Sequence, residues 1–289
     1  MKIFISGATG VVGKSLSDYL HKAGHQIIGV DIINSDNTIY ADLRDENSIF
    51  ELVSEYNPEI ILHLASIKNL NYCENNKAET HLTNYGVTEI LTRVCLAHKI
   101  RLIFFSSDYV FGKYDRFWRE VDTPCPTTQY GIDKAESEKL IQNTLCDFAI
   151  IRTAQIYGFP GDFVSLVYQT LNSHQTFTAY SNLINCPTWI GDISIMLNKI
   201  IHYNKQGIFH CVGLEALSRY QFANEIAEVF SLEKSHIVAE NLDFSTDIRP
   251  PVVRLNGAYT YNVLQVYPGK LKKNISENSS YIKESGLRE

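Results

Sequence analysis

Within six residues of its start the chain runs from an apolar segment into glycine, and glycine then recurs at a fixed interval: MKIFIS leads to Gly7, Gly10 and Gly13. A strand that breaks into three glycines and continues as a helix is a turn built to approach a phosphate. The first glycine reaches a φ that other residues resist, the second lets backbone come close to a diphosphate, and the third lets helix pack on strand. Thr9, Val11 and Val12 complete that turn, and apolar spacing from Lys14 to Ala23 predicts the helix, stopped at Gly24. The unpaired N–H groups of its first turn favour an anion. The first gap is one residue longer than in the G-x-G-x-x-G dinucleotide fingerprint.

The same alternation continues. QIIGV ends at Asp31, helical spacing spans Glu46–Tyr56 before Pro58, and IILHLA covers 60–65. A long helix is expected from Glu79 to Ala97, then RLIFFSS at 101–107, a helix from Tyr130 to Cys146, and FAIIRT at 148–153. Short, continuously apolar strands alternating with helices predict an α/β fold, a doubly wound, mostly parallel sheet of the Rossmann type. Past residue 155 the alternation fails and prolines appear at 160, 187, 250 and 251. Residues 1–153 therefore read as a dinucleotide-binding domain and 154–289 as a smaller substrate-binding domain, with part of 187–215 returning to the sheet. The polar tail after Pro268 is expected to fray, its lysines forming a solvated helix face.

Composition narrows the function. A net charge of −6 with no basic stripe argues against nucleic acid as a partner. Six scattered cysteines without a C-x-x-C pair support neither a zinc nor a redox motif, and no metal is expected. The first strand begins at Met1 and no apolar run approaches the ~18 residues of a membrane span. A cytoplasmic protein with no membrane partner is expected.

Asp31 follows Gly13 by 18 residues at a strand end, where a carboxylate accepts the adenosine ribose hydroxyls. The same charge repels a 2′-phosphate, favouring NAD(H), with NADP(H) as the alternative. Asp42 and Leu43, after a short strand at TIYA, are placed beside the adenine. Tyr130 and Lys134 stand four apart in YGIDK and so face one side of a helix. Among 17 tyrosines such a pair is weak alone, and Tyr109 with Lys113 is a second instance, in a loop containing Gly112. Ser106 and Ser107 strengthen the Tyr130 pair by ending a buried strand, at the carboxyl edge where such sheets bind ligands. A phenol, an ammonium and a hydroxyl converging on a nicotinamide make a carbonyl reductase. In that arrangement Lys134 lowers the phenol pKa and bonds the nicotinamide ribose, Tyr130 protonates the carbonyl oxygen, and Ser107 holds it.

GATGVVG, SSDYVF, YGIDK and RPPVVRLN together resemble the extended short-chain dehydrogenase/reductases, most closely the dTDP-4-dehydrorhamnose reductase branch, along nearly the whole chain. The resemblance implies Ser107, Tyr130 and Lys134 as the catalytic triad and Asn84 as a helix residue ordering the site. It also implies Leu64, Ala65 and Ser66 along the cofactor, and a nucleotide-linked 4-keto-6-deoxy sugar as substrate. Positions expected near that sugar are Lys68, Asn69, Asp108, Tyr109, Gln155, Pro187 and Thr188. Gln155 replaces the branch's tryptophan, and Asn185, Cys186, Pro187 and Thr188 replace G-A-P-T, so a different sugar is expected to fit. Arg249 and Arg254 read equally as diphosphate contacts or as surface residues, and His63 reads as a core histidine. A dehydratase would need a glutamate where Tyr109 follows Asp108. A nucleotide-sugar epimerase and a non-catalytic NAD(P)-binding regulatory subunit are the open alternatives, and the resemblance allows a homodimer.

Overall fold

The computed structural model describes residues 1–285. The chain divides into two units, the first made of residues 1–111, 123–152 and 197–209 and the second of 112–122, 153–196 and 210–289.

The first unit is built on a seven-stranded sheet. Its strands are β1 (Lys2–Ser6), β2 (Gln26–Asp31), β3 (Ile39–Tyr40), β4 (Ile60–His63), β5 (Arg101–Phe105), β6 (Phe148–Arg152) and β7 (Gly207–His210). They lie in the order β7-β6-β5-β4-β1-β2-β3, and the pairs from β6 through to β3 are parallel. The order reverses between β1 and β4, the switch point beside which such sheets open a crevice at the strands' carboxyl ends. The principal helices are α1 (Val11–Lys22), α2 (Glu46–Tyr56), α3 (Val87–His98) and α4 (Gln129–Thr144). Ile3 to Ile5, Ile60 to Leu62 and Leu102 to Phe104 are wholly buried, which is why these strands read as unbroken apolar runs. On one face Phe4, Ile61 and Phe104 pack with Ile49 and Val53 of α2 and Leu91 and Val94 of α3.

The long helix expected over 79–97 is not continuous. It runs as Lys77–His81, a π-helical turn at Leu82–Gly86, then α3. A π-turn widens the helix by one residue per turn, and such turns gather at functional sites.

The second unit holds short strand pairs: 177–180 with 237–240, 117–118 with 254–255 and 156–157 with 188–189 are parallel, and 184–185 with 217–218 is antiparallel. Its core joins Val164, Val167 and Leu171 to Phe222, Ala223 and Ile226. The tail after Pro268 does not fray within the described residues. It forms helices Leu271–Glu277 and Ser280–Ser285, and Leu271, Ile275 and Ile282 enter this core. Polar composition hid three apolar residues at helical intervals. Lys272 does lie on a solvated face, paired with Glu225 at 3.2 Å and with Glu228.

Candidate active site

The glycine turn forms as its spacing requires. Gly7 has φ +74°, and a Cβ there would stand 2.8 Å from the Ala65 amide nitrogen. Only glycine lets β1 and the Leu64–Ala65 backbone come this close. Gly10 caps α1 without any side-chain bond, and Gly10 and Val11 are both exposed, while Gly13 is buried in the helix. An open helix start with uncapped N–H groups fits a diphosphate. Asp31 is bound into the same turn: the Thr9 amide (3.0 Å) and hydroxyl (2.7 Å) donate to Oδ2, and the Ile33 amide to Oδ1 at 3.3 Å. Asp42 is engaged by Arg44 through three contacts of 2.6–3.1 Å, and that guanidinium holds its carboxyl below the usual range. Leu43 does not turn outward; its side chain is buried in the core under the sheet.

A chain of hydrogen bonds links the end of β1 to the π-turn. Ser6 Oγ meets His63 Nδ1 at 2.7 Å, His63 Nε2 meets Thr88 Oγ1 at 3.2 Å, and Thr88 donates to the Asn84 carbonyl at 2.7 Å. With the Thr88 proton committed to Asn84, Nε2 carries the imidazole hydrogen and Nδ1 accepts from Ser6. Burial first, and the Lys134 charge second, push His63 down to about 3, so it stays neutral as a core histidine. Asn84, also buried, clamps the strand-end loop: its Nδ2 donates to the Ile67 carbonyl at 3.0 Å, and its Oδ1 accepts from the Ile67 amide at 2.8 Å and Ser66 Oγ at 3.2 Å.

Helix α4 starts at Thr128, whose Oγ1 accepts from the Gly131 amide at 3.1 Å. A Cβ at Gly131 would lie 2.1 Å from the Tyr109 carbonyl, so glycine is what lets the helix start press against the loop after β5. Tyr130 and Tyr109 then meet edge to face at 6.1 Å. Ser107 caps the short helical turn Asp108–Val110, and its Oγ donates to Asp108 Oδ1 at 2.9 Å. Ser107 and Ser66 both act on the Tyr130 phenol in the direction that favours its ionised form. Lys134, 3% exposed, donates to the Phe105 carbonyl at 2.8 Å and lies 4.5 Å from the Phe104 ring centroid and 5.9 Å from that of Tyr130.

The electrostatics differ from the expectation that Lys134 lowers the phenol. Burial, and then the Asp108 charge, push Tyr130 upward, only partly opposed by Ser107 and Ser66. Lys134 is itself pushed down to about 7 by burial, against the pull of Glu138 and Asp133. The ammonium is directed at a backbone carbonyl, and withdrawing a phenolate from water costs more than that distant cation returns.

The remaining candidates divide by unit. Lys68 is exposed, and Asn69 caps helix Leu70–Asn75 by accepting from the Tyr72 amide at 3.0 Å. In the second unit Thr188 is structural: its amide donates to the Gln155 carbonyl, its hydroxyl donates to Cys186, and it accepts from the Gly213 amide. Pro187 is buried beside it. Arg249 is bonded to Asp247 at 2.8 and 2.7 Å, and Arg254 to Asp115 at 2.8 Å. Gln155 is different. It has φ +34°, and both polar atoms of its amide are buried without a hydrogen-bond partner. Sequence reasoning passed over Ser66 as an influence on the phenol, and Glu138, Ser106 and Arg152 as a buried polar cluster. Only the spacing of Glu138, one turn beyond Lys134, signalled the latter.

The RmlD substrate binding domain profile matches residues 1–272. The chain belongs to the RmlD substrate binding domain family. Within reach of this family, it is 26% identical over 257 residues to a probable low-salt glycan biosynthesis reductase of Haloferax volcanii, covering 83% of this chain and 85% of that one. It is 24% identical over 247 residues to the methionine adenosyltransferase 2 subunit beta of Bos taurus, covering 82% and 74%. Its fold superposes on a dTDP-4-dehydrorhamnose reductase from Bacillus anthracis, solved in complex with NADP, with a TM-score of 0.86 at 20% identity, covering 96% and 97%. Among the described residues no helix is long and apolar enough to cross a membrane.

Proposed function

We propose that the chain is an NAD(P)H-dependent reductase of a nucleotide-linked 4-keto-6-deoxy sugar, serving polysaccharide biosynthesis. The observation that carries this reading is the Tyr130 ring set 5.9 Å from buried Lys134 and 6.1 Å from the Tyr109 ring, in the loop that presents Ser107. A bound nicotinamide supplies the hydride. The glycine turn with Thr9, Val11 and Val12 holds the diphosphate, Asp31 takes the adenosine ribose, and Leu64, Ala65 and Ser66 border the ring. Tyr130 gives its proton to the carbonyl oxygen, and a phenol pushed upward is fully protonated at neutral pH, as an acid in the reducing direction must be. Ser107 holds that oxygen, and Lys134 orients the ribose. Asp31, fixed by Thr9 and Ile33, favours NADH, since a rigid carboxylate opposes a 2′-phosphate.

Residues 1–153 form the cofactor side in this reading and 154–289 mainly the sugar side. The unpaired Gln155 amide supports a polar group on the sugar as its partner, because a buried amide left unbonded is costly. Six free cysteines fit a reducing, cytoplasmic location, and a homodimer completes the reading, tested by light scattering. The deciding assay is NADH and NADPH oxidation against 4-keto sugar nucleotides carrying dTDP, CDP, GDP and UDP. Oxidation with one of them and its loss in Tyr130→Phe is the expected result; no oxidation with any refutes the reading.

A further inference from the structure

Behind the triad lies a charge pair that the reaction above does not use. Tyr130, Lys134 and Glu138 recur every four residues and so form one row along α4. Glu138 is 0% exposed and Arg152, the last residue of β6, is 1% exposed. Arg152 grips the carboxylate from two sides, Nε to Oε1 at 2.9 Å and Nη2 to Oε2 at 2.7 Å, with its guanidinium 5.0 Å from the Phe111 ring centroid. Ser106, the residue before Ser107, donates to Oε1 at 2.5 Å. Both carboxylate oxygens are thereby held, and the group cannot swing.

Burying an ion pair is a poor source of stability, since desolvation offsets the attraction and apolar replacements often do as well. Its position between the serine strand end and the lysine calls for another account. We propose that Glu138, locked by Arg152, is a positioning residue for the triad: it fixes Ser106, and so the backbone that presents Ser107, and it supplies the fixed negative charge in the row with Lys134. The inference rests on the reductase reading of Ser107, Tyr130 and Lys134.

The groups around Lys134 are few. From its own helix come Glu138 and Asp133, the latter occupied by His81 at 2.9 Å and Gln129 at 2.9 Å. From β4 comes neutral His63, from β5 the Phe105 carbonyl and Phe104 ring, and from β6 Arg152, through Glu138. Asp108 faces the phenol. Glu138 is the larger of the two acidic influences opposing the burial of the ammonium.

The test follows the protonation midpoint of Lys134 by NMR in protein carrying 13C-lysine, the resonance identified by its loss in Lys134→Arg. The pH profile of sugar reduction is recorded in parallel. The wild-type midpoint is expected near about 7. Glu138→Gln lowers it by about one pH unit or more, because an attraction is lost and the Arg152 charge is no longer offset by that carboxylate. The double variant Glu138→Gln with Arg152→Met removes both charges and falls between those two values. Glu138→Asp keeps the charge and stays near wild type. The alkaline limb of the rate profile moves with the midpoint. Should Glu138→Gln fail to fold, the double variant decides. A midpoint identical in wild type and the folded charge-neutral variants overturns the proposal. Midpoints that move in a protein reducing no 4-keto sugar overturn the reductase reading instead.

Discussion

At Tyr130 the ring lies edge to face on Tyr109, while the Lys134 ammonium, 5.9 Å from that ring, is turned toward a strand-end carbonyl. Tyr130→Phe removes the proton donor and leaves the glycine turn untouched, so turnover falls by about 100-fold or more while NADH affinity, measured by fluorescence, stays within about twofold. Lys134 sets the pH dependence. Burial brings it from 10.5 down to about 7, so the ammonium is present below that pH and lost above it. kcat/KM therefore declines as pH rises through about 7, and a profile flat from 6 to 9 contradicts this role for Lys134. Asp31 anchors Thr9, and in the proposed reading it also faces the adenosine ribose. Asp31→Ala weakens both cofactors through the loosened turn but NADH more, and the NADPH-to-NADH ratio of kcat/KM rises about tenfold or more.

Among the elements, the π-turn at Leu82–Gly86 places Asn84 where its side chain ties down the loop after β4 and its carbonyl receives the hydrogen-bond chain from β1. Asn84→Ala leaves the half-buried Ile67 backbone groups without these partners. A stability loss of about 1–3 kcal/mol and faster hydrogen exchange at the Ile67 amide are expected. The sheet was legible in the sequence because strands covered on both faces are apolar throughout, as at Ile60–Leu62 and Leu102–Phe104. The π-turn was not, since one inserted residue leaves the apolar spacing on either side helical. Glu138 and Arg152 were hidden for the opposite reason: charged letters read as surface, and only the fold reveals that they are buried on each other. The proposed set of Ser107, Tyr130 and Lys134 rests on spacing that is local, one helical turn and one strand end.

Across the whole molecule, neither unit is a continuous stretch of chain. The helix Ile190–His202 begins in the second unit and ends in the first, and β7 closes the sheet from residue 207 onward. A fragment ending at Arg152 leaves β6 as a bare edge and strips away the buried Leu197, Ile200 and Ile201. Residues 1–152 alone are expected to self-associate, which size-exclusion with light scattering will detect. The short pairing of 117–118 with 254–255 likewise joins positions far apart in sequence, and no local pattern announced it. The discontinuity also constrains recombination. Grafting the second unit of a relative onto this first unit takes five junctions, after residues 111, 122, 152, 196 and 209. A single crossover would splice half of one architecture to half of another, so this second unit can be exchanged whole only in several pieces.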